Sequence, residues 1–235
     1  KGSGVQVDPG KMPGTRFFPD ARLNYAENLL RRRDDSEAIV FRGEDKVSSR
    51  MTWAELYDGA ARANRFFRES GISTGDRVAA MLPNMPETII AMLGATALGA
   101  VWSSCSPDFG ERGVLDRFGQ IDPKILLVCD GYYYNGKWID IADQGNNIAK
   151  ALRSVGRIVV IPYQGPDSDG GERLLNQLDR SVSWRQALGE TPGGDIEFVP
   201  VGFNDPLYIL FSSGTTGAPK CIVHSVGGTL ITHLK

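Results

Sequence analysis

Short apolar runs alternate with longer amphipathic segments through most of this chain. The runs are rich in Val, Ile, Leu and Ala, and they occupy residues 76–82, 100–104, 125–129 and 157–161. Runs of this length predict buried strands, while the segments between them carry apolar residues at helical spacing. Alternating strands and helices predict an α/β fold: a layered, mostly parallel sheet flanked by helices.

Signals for helix ends support this alternation. Thr52 and Glu55 form a capping-box pattern, and the helix that they open should end at Gly71. Pro86, followed by Glu87, is typical of a first helical turn. Further helices are predicted at 23–30, 112–119, 139–152, 172–178 and 184–188. A β-hairpin is predicted over 37–41 and 46–51, and another strand after Lys220.

Composition shifts along the chain predict three parts. Residues 1–36 combine a Gly- and Pro-rich segment, expected to wrap over a surface, with a short helix. Residues 37–188 form the α/β subdomain. Residues 189–235 contain a linker, a strand and a Ser/Thr/Gly loop, which we expect to enter a second, truncated subdomain. The predicted fold is therefore incomplete.

Charge and cysteine usage exclude several classes of protein. The net charge of −2, from 26 basic and 28 acidic residues, gives no footprint for nucleic acid. No apolar run approaches the roughly 20 residues that span a bilayer, and no secretory leader is recognisable at the first residues. Cys105, Cys129 and Cys221 are odd in number and widely spaced, which indicates neither a disulfide framework nor a metal site. A cytoplasmic location fits best.

The stretch with the clearest chemistry is 208–220. An apolar run, 208–211, leads into a loop rich in hydroxyls and glycines that ends in Pro219 and Lys220. Hydroxyls, successive backbone N–H groups and one ammonium suit a polyphosphate, although an ordinary polar turn has a similar composition. The loop does not fit a P-loop, because Pro219 separates the last glycine from Lys220 and Cys221 replaces Ser or Thr.

The loop resembles the phosphate-binding signature of the adenylate-forming superfamily, which includes acyl-CoA synthetases, luciferases and peptide-synthetase adenylation domains. The matching residues are Ser212, Ser213, Gly214, Thr215, Thr216, Gly217, Pro219 and Lys220. Segments 52–56, 75–78, 83–87 and 94–101 are similar to acyl-CoA synthetases in general. A further set resembles the acetoacetyl-CoA synthetase branch: 21–30, 101–104, 106–110, 114–118, 134–137 and 219–225.

The resemblance implies a two-step reaction. A carboxylate attacks the α-phosphate of Mg²⁺-ATP to give an acyl-adenylate, and coenzyme A then displaces AMP to give a thioester. It also implies that ATP phosphates are held by Ser212, Ser213, Gly214, Thr215, Thr216, Gly217 and Lys220. For Lys220 the alternative is a loop lysine that meets only solvent.

For coenzyme A the resemblance points to two segments. Ser106, Pro107 and Asp108 stand where related acetyl-CoA synthetases carry an aromatic residue and two glycines, so this segment departs from the pattern. Tyr134 and Lys137 flank an Asn-Gly pair, and an exposed turn is the alternative there. His224 and His233 lie in apolar surroundings and are interpreted as structural, since nothing nearby in sequence orients either as a base.

The acid pocket, the metal-binding group and the catalytic residues of such enzymes are expected downstream of Lys235. The sequence therefore predicts part of an ATP-dependent acid–thiol ligase, with acetoacetate as the favoured acid, that is inactive as these residues alone. Its partners would be small molecules, not nucleic acid, and the oligomeric state is not indicated. The alternatives are a synthetase for a related short acid, acetate or propionate, and a non-catalytic binding module.

Overall fold

A computed structural model of the chain describes residues 2, 4–165, 169–212 and 217–234. Its helices are α1 (Tyr25–Leu29), α2 (Trp53–Glu69), α3 (Pro86–Ala97), α4 (Gly110–Phe118), α5 (Ala142–Ala151), α6 (Asp169–Gln177), α7 (Trp184–Leu188) and α8 (Val226–His233). Its strands are β1 (Gln6–Val7), β2 (Arg16–Phe17), β3 (Arg22–Leu23), β4 (Glu37–Gly43), β5 (Val47–Thr52), β6 (Arg77–Met81), β7 (Val101–Cys105), β8 (Ile125–Cys129), β9 (Gly131–Tyr134), β10 (Lys137–Asp140), β11 (Arg157–Ile161), β12 (Ser181–Ser183), β13 (Val201–Gly202), β14 (Pro206–Phe211) and β15 (Cys221–Ser225).

Within the described ranges, seven strands form the central sheet in the order β12-β11-β8-β6-β7-β14-β15. All neighbouring pairs are parallel except β14 with β15, which is antiparallel. The predicted α/β architecture with a mostly parallel sheet is confirmed. The separate hairpin β4–β5 is antiparallel, as the sequence predicts.

Helices cover both faces of the sheet. The chain moves from β6 to β7 in one direction and from β7 back past β6 to β8 in the other. Because such crossovers are right-handed, α3 and α4 lie on opposite faces. α3 contacts α1 and α2, while α5 contacts α4 and α6. Gly94 permits the close α2–α3 contact, since a Cβ there would lie 2.8 Å from that of Ala63.

The local signals predicted helix starts well. Thr52 and Glu55 form a complete capping box at the start of α2, and Pro86 is the first residue of α3. The predicted helix 139–152 is wrong at its start. Residues from Lys137 to Asp140 pair with β9 as strand β10, and α5 begins only at Ala142.

The linker-like stretch after α7 is held against α2. Asp58 accepts a hydrogen bond from the backbone N–H of Gly193 at 2.8 Å, and the Tyr57 hydroxyl accepts one from Ile196 at 3.0 Å. The Arg65 guanidinium donates to the carbonyls of Leu188, Thr191 and Pro192, each at 3.1 Å. After these contacts the chain returns to the sheet. β14 and β15 belong to the same seven-stranded sheet as β6, β7 and β8. The predicted division into three parts stays a prediction.

In the part of the chain that the structure describes, no helix has the length and apolar character needed to cross a membrane.

Candidate functional site

The Ser/Thr/Gly loop connects two antiparallel strands at the edge of the central sheet. Phe211, the last residue of β14, pairs with Cys221, the first of β15. Just beyond this pair, the N–H of Ser212 donates to the carbonyl of Lys220 at 3.0 Å. The N–H of Lys220 donates back to the Ser212 hydroxyl at 3.2 Å. These two bonds close the base of the loop. Ser213, Gly214, Thr215 and Thr216 lie outside the described residues.

The carboxyl side of the loop is fixed by Gln120, which follows α4. Its side-chain amide donates to the carbonyl of Pro219 at 2.8 Å, and its oxygen lies 3.7 Å from the Cys221 sulfur. Pro219 is buried, whereas the neighbouring Lys220 is exposed. Gly217 has a φ of 129°, a region that an L side chain rarely adopts. The loop therefore has an anchored base and a lysine that faces solvent.

The candidate residues follow strands that end at one edge of the sheet. Ser106, Pro107 and Asp108 follow β7, Tyr134 and Lys137 belong to the hairpin after β8, and the loop follows β14. Because β7, β8 and β14 run in parallel, their carboxyl ends share an edge, which is where ligands bind in open α/β sheets. β7 is adjacent to β14, while β8 lies three strand spacings from β14, or about 14 Å.

The segment after β7 is a short 3₁₀ turn capped by its own side chains. The N–H of Asp108 donates to the Ser106 hydroxyl at 3.4 Å, and that hydroxyl lies 3.0 Å from Asp108 Oδ2. Pro107 is buried, and its carbonyl accepts a hydrogen bond from Gln144 at 3.3 Å. The other Asp108 oxygen accepts from the Tyr132 hydroxyl. Tyr132 thus joins the two segments that were predicted for coenzyme A.

Tyr132 remains a hydrogen-bond donor over the whole physiological range. Burial and the hydrogen bond to the Asp108 carboxylate raise the pKa of Tyr132 to about 12, since both disfavour the phenolate. The sequence gives no signal for this contact. Tyr132 and Asp108 are 24 residues apart, and only the fold brings them together.

Tyr134 and Lys137 lie directly opposite one another on the β9–β10 hairpin. The turn between them is Asn135-Gly136, with φ values of 51° and 73°, as expected for the type of turn that suits a two-residue hairpin. Tyr134 is 65% exposed, and Lys137 is exposed as well. An exposed turn and a contact with coenzyme A are both compatible with this position, because the turn is exposed and the two side chains are accessible.

The two histidines contact aromatic side chains. The His224 ring packs on Tyr208 with ring centroids 4.9 Å apart, and His233 Nδ1 lies 3.3 Å from the Tyr25 hydroxyl. Burial, and then the proximity of Tyr208, raise the pKa of Tyr25 to about 12, so its hydroxyl stays protonated. Neither histidine is paired with a carboxylate within the described ranges.

The fold and the loop together define an α/β protein with a glycine- and hydroxyl-rich loop at the carboxyl edge of a parallel sheet. The chain belongs to the AMP-binding enzyme family, whose model matches residues 26–235.

Similarity to individual relatives extends along the whole chain. It is 53% identical over 234 residues to the acetoacetyl-coenzyme A synthetase of Rhizobium meliloti (strain 1021), covering 100% of this chain and 35% of that protein. It is 43% identical over 226 residues to the acetoacetyl-CoA synthetase of Xenopus tropicalis, covering 93% and 33%. In three dimensions it matches the acetoacetyl-CoA synthetase from Streptomyces lividans with a TM-score of 0.88 and 39% identity, over 98% of this chain and 34% of that one. The chain therefore spans about a third of the length of the relatives it matches.

Proposed function

We propose that this chain serves an ATP-dependent acid–thiol ligase that converts acetoacetate, ATP and coenzyme A into acetoacetyl-CoA, AMP and diphosphate through an acyl-adenylate. The observation that carries this proposal is the 53% identity to an acetoacetyl-coenzyme A synthetase across the whole chain. Because the chain spans about a third of that relative's length, the complete reaction is proposed for a protein of the relative's full length that contains this chain, called here the longer protein.

In this proposal the 212–220 loop binds the β- and γ-phosphates of ATP. Its backbone N–H groups, the hydroxyls of Ser213, Thr215 and Thr216, and the exposed ammonium of Lys220 supply donors and positive charge. Transfer at the α-phosphorus depends mainly on positioning and on neutralising the charge that develops on the leaving diphosphate. The closed base of the loop, from Ser212 to Lys220, supports such positioning.

Coenzyme A would bind at the same carboxyl edge of the sheet, in contact with the exposed pair Tyr134 and Lys137 and with the turn 106–108. Lys137 can neutralise a phosphate of the nucleotide end, and the Tyr134 ring offers a face for a base. Asp108 is a poor phosphate ligand because like charges repel. Together with Ser106 and Pro107 it would instead shape the path of the pantetheine arm and accept hydrogen bonds from its amides.

Mg²⁺ would accompany ATP and offset phosphate charge. The described residues contain no group of three or more His, Cys, Asp or Glu side chains that could hold a metal ion. The proposal assigns neither acid binding nor the chemical steps to residues of this chain, so acetate and propionate remain the alternative acids. We place the activity in the cytoplasm, where free thiols such as Cys105 and Cys129 persist.

Product analysis of the longer protein tests this function. With acetoacetate, ATP, Mg²⁺ and coenzyme A, we expect AMP and acetoacetyl-CoA in equal amounts, and much less thioester when acetate or propionate replaces acetoacetate. The 235-residue chain alone should form neither product. Formation of ADP, or equal use of all three acids, would contradict the assignment.

A further inference from the structure

The tip of the β9–β10 hairpin is bound by a carboxylate from a distant part of the chain. Glu44, in the turn between β4 and β5, accepts two backbone hydrogen bonds with its two oxygens. The N–H of Asn135 donates to Oε1 at 2.6 Å, and that of Gly136 donates to Oε2 at 2.7 Å. A carboxylate that accepts two aligned N–H groups forms short, charge-assisted bonds and fixes the orientation of the turn.

An aromatic cluster behind this contact joins the same two hairpins. The Tyr163 ring packs against Phe41 of β4, with centroids 6.3 Å apart and an interplanar angle of 85°. It also packs against the rings of Tyr133 on β9 and Trp138 on β10, with centroid distances of 6.3 Å and 6.1 Å. Gly43 leaves the room for this packing, since a Cβ there would overlap the Tyr163 hydroxyl. The β4–β5 hairpin is thus docked on the β9–β10 hairpin independently of Glu44.

The clamped turn is the one that presents Tyr134 and Lys137. These two residues flank Asn135-Gly136 and face each other across the hairpin, so any rotation of the turn changes their relative position. Two strands of four residues each that form a separate two-stranded sheet have little intrinsic stability without support from outside. Glu44 supplies that support at the tip, whereas the aromatic cluster supports the middle of the hairpin.

We propose that Glu44 is a positioning residue for coenzyme A: its carboxylate holds the 134–137 turn in the shape that places Tyr134 and Lys137 against the nucleotide end. This inference rests on the proposed function, because it assumes that this turn meets coenzyme A. Glu44 already occupies both turn N–H groups, so the phosphate contact falls to the Lys137 ammonium. Glu44 itself touches no substrate and should have no part in forming the acyl-adenylate.

The chain offers a matched control for the charge of Glu44. Asp45 is the next residue of the same turn, is exposed, and forms an ion pair only with Lys46 among the described residues. Glu44→Gln and Asp45→Asn each remove one negative charge from this turn, but only the first removes an acceptor from the 135–136 backbone. Glu44→Ala removes both acceptors.

The first measurement is amide hydrogen exchange at Asn135 and Gly136 in the 235-residue protein. We expect both amides to exchange about ten times faster in Glu44→Ala, since each then loses its acceptor. Asp45→Asn should leave them unchanged. Unaltered exchange in Glu44→Ala would show that the clamp is not formed in solution and would overturn the proposal.

The second measurement separates the two half-reactions in the longer protein. We expect the KM for coenzyme A to rise about three- to tenfold in Glu44→Ala, less in Glu44→Gln and not in Asp45→Asn, as suits an exposed charge-assisted contact. Acetoacetate-dependent ATP–pyrophosphate exchange should be the same in all three. An unchanged or lower KM for coenzyme A in Glu44→Ala, or an equal rise in Asp45→Asn, would overturn the positioning role. Absence of pyrophosphate exchange in the wild-type protein would instead refute the proposed function itself.

Discussion

The buried hydroxyl of Ser103, on β7, donates a hydrogen bond of 2.8 Å to the carbonyl oxygen of Ile209, on β14. β7 and β14 are otherwise joined through a short parallel pairing at Trp102 and Tyr208. The Ser103–Ile209 bond therefore fixes the strand that carries the 212–220 loop to the rest of the sheet.

Replacing Ser103 with alanine should destabilise the protein by about 1–2 kcal/mol, because the Ile209 carbonyl loses a donor in a buried position. Urea unfolding measures the loss. Ser104→Ala is the matched control, since Ser104 is the next residue of the strand and is only partly buried. Equal effects of the two substitutions would show that the hydroxyl of Ser103 contributes nothing specific.

Gly193→Ala should disrupt the contact between α2 and the linker-like stretch that follows α7. A Cβ at this position would overlap that of Ala61 and lie 2.8 Å from the backbone oxygen of Asp58, so the contact must open. We expect the free energy of unfolding to fall by about 1–3 kcal/mol, as is usual when extra volume enters a packed contact. Gly10→Ala has open space around its Cβ and should be neutral in the same unfolding experiment. An unaffected Gly193 variant would contradict the clamp between this segment and α2.

Asp76 should stabilise the protein in a pH-dependent way. Burial alone would raise the pKa of Asp76, but hydrogen bonds from Lys124 at 2.8 Å and from Ser73 at 2.9 Å outweigh it and hold the pKa below its ordinary value. A lowered folded-state pKa stabilises the folded protein above the unfolded pKa, and this contribution is lost as pH falls below about 4.

Asp76→Asn should consequently lower the free energy of unfolding by about 1–3 kcal/mol near pH 7, and by progressively less below about pH 4. Urea unfolding of both proteins at several pH values tests the sign. A difference that stays constant, or grows towards low pH, would mean that the carboxylate is not the stabilising form.

The three thiols should differ sharply in reactivity. Burial raises the pKa of Cys105 to about 12, despite the nearby Arg117, and burial raises the pKa of Cys129 as well. Cys221 is exposed. Since the thiolate is the reactive form, a thiol reagent at pH 8 should label Cys221 alone in the folded protein and all three thiols after unfolding. Rapid labelling of folded Cys221→Ser protein would contradict the burial of Cys105 and Cys129.

Sequence predicted those parts of the fold that depend on neighbouring residues. The start of α2 needs only a hydroxyl and a carboxylate three residues apart, Thr52 and Glu55, and the start of α3 needs only Pro86. The strands at 125–129 and 157–161 were found because a buried parallel strand is a short continuous apolar run.

The start of α5 was missed because strand pairing outweighed helical periodicity. Residues 137–140 pair with β9 across the Asn135-Gly136 turn, and Trp138 packs on Tyr133 with centroids 5.2 Å apart. Gly131 makes that packing possible, as a Cβ there would lie 2.7 Å from Trp138 Cε2. The Asn-Gly pair was the available signal for a hairpin.

Sequence identified the candidate site residues by type but not the contacts that hold them. The bonds from Gln120 to Pro219, from Tyr132 to Asp108 and from the 135–136 turn to Glu44 join residues 24 to 99 positions apart. Such contacts depend on strand order, which no local pattern encodes. The roles assigned to Ser212, Ser213, Gly214, Thr215, Thr216, Gly217 and Lys220 remain predictions.

The most direct test of whether the 212–220 loop binds ATP phosphates for adenylation is acetoacetate-dependent ATP–pyrophosphate exchange. It is measured in the longer protein and in its Lys220→Ala variant. We predict exchange in the wild-type protein and a loss of at least about tenfold in Lys220→Ala, the scale of removing one charge-stabilising donor. Lys150→Ala, which removes an exposed lysine from α5, should exchange at the wild-type rate. Undiminished exchange in Lys220→Ala would contradict the role of Lys220, and wild-type exchange that does not depend on acetoacetate would contradict the ligase.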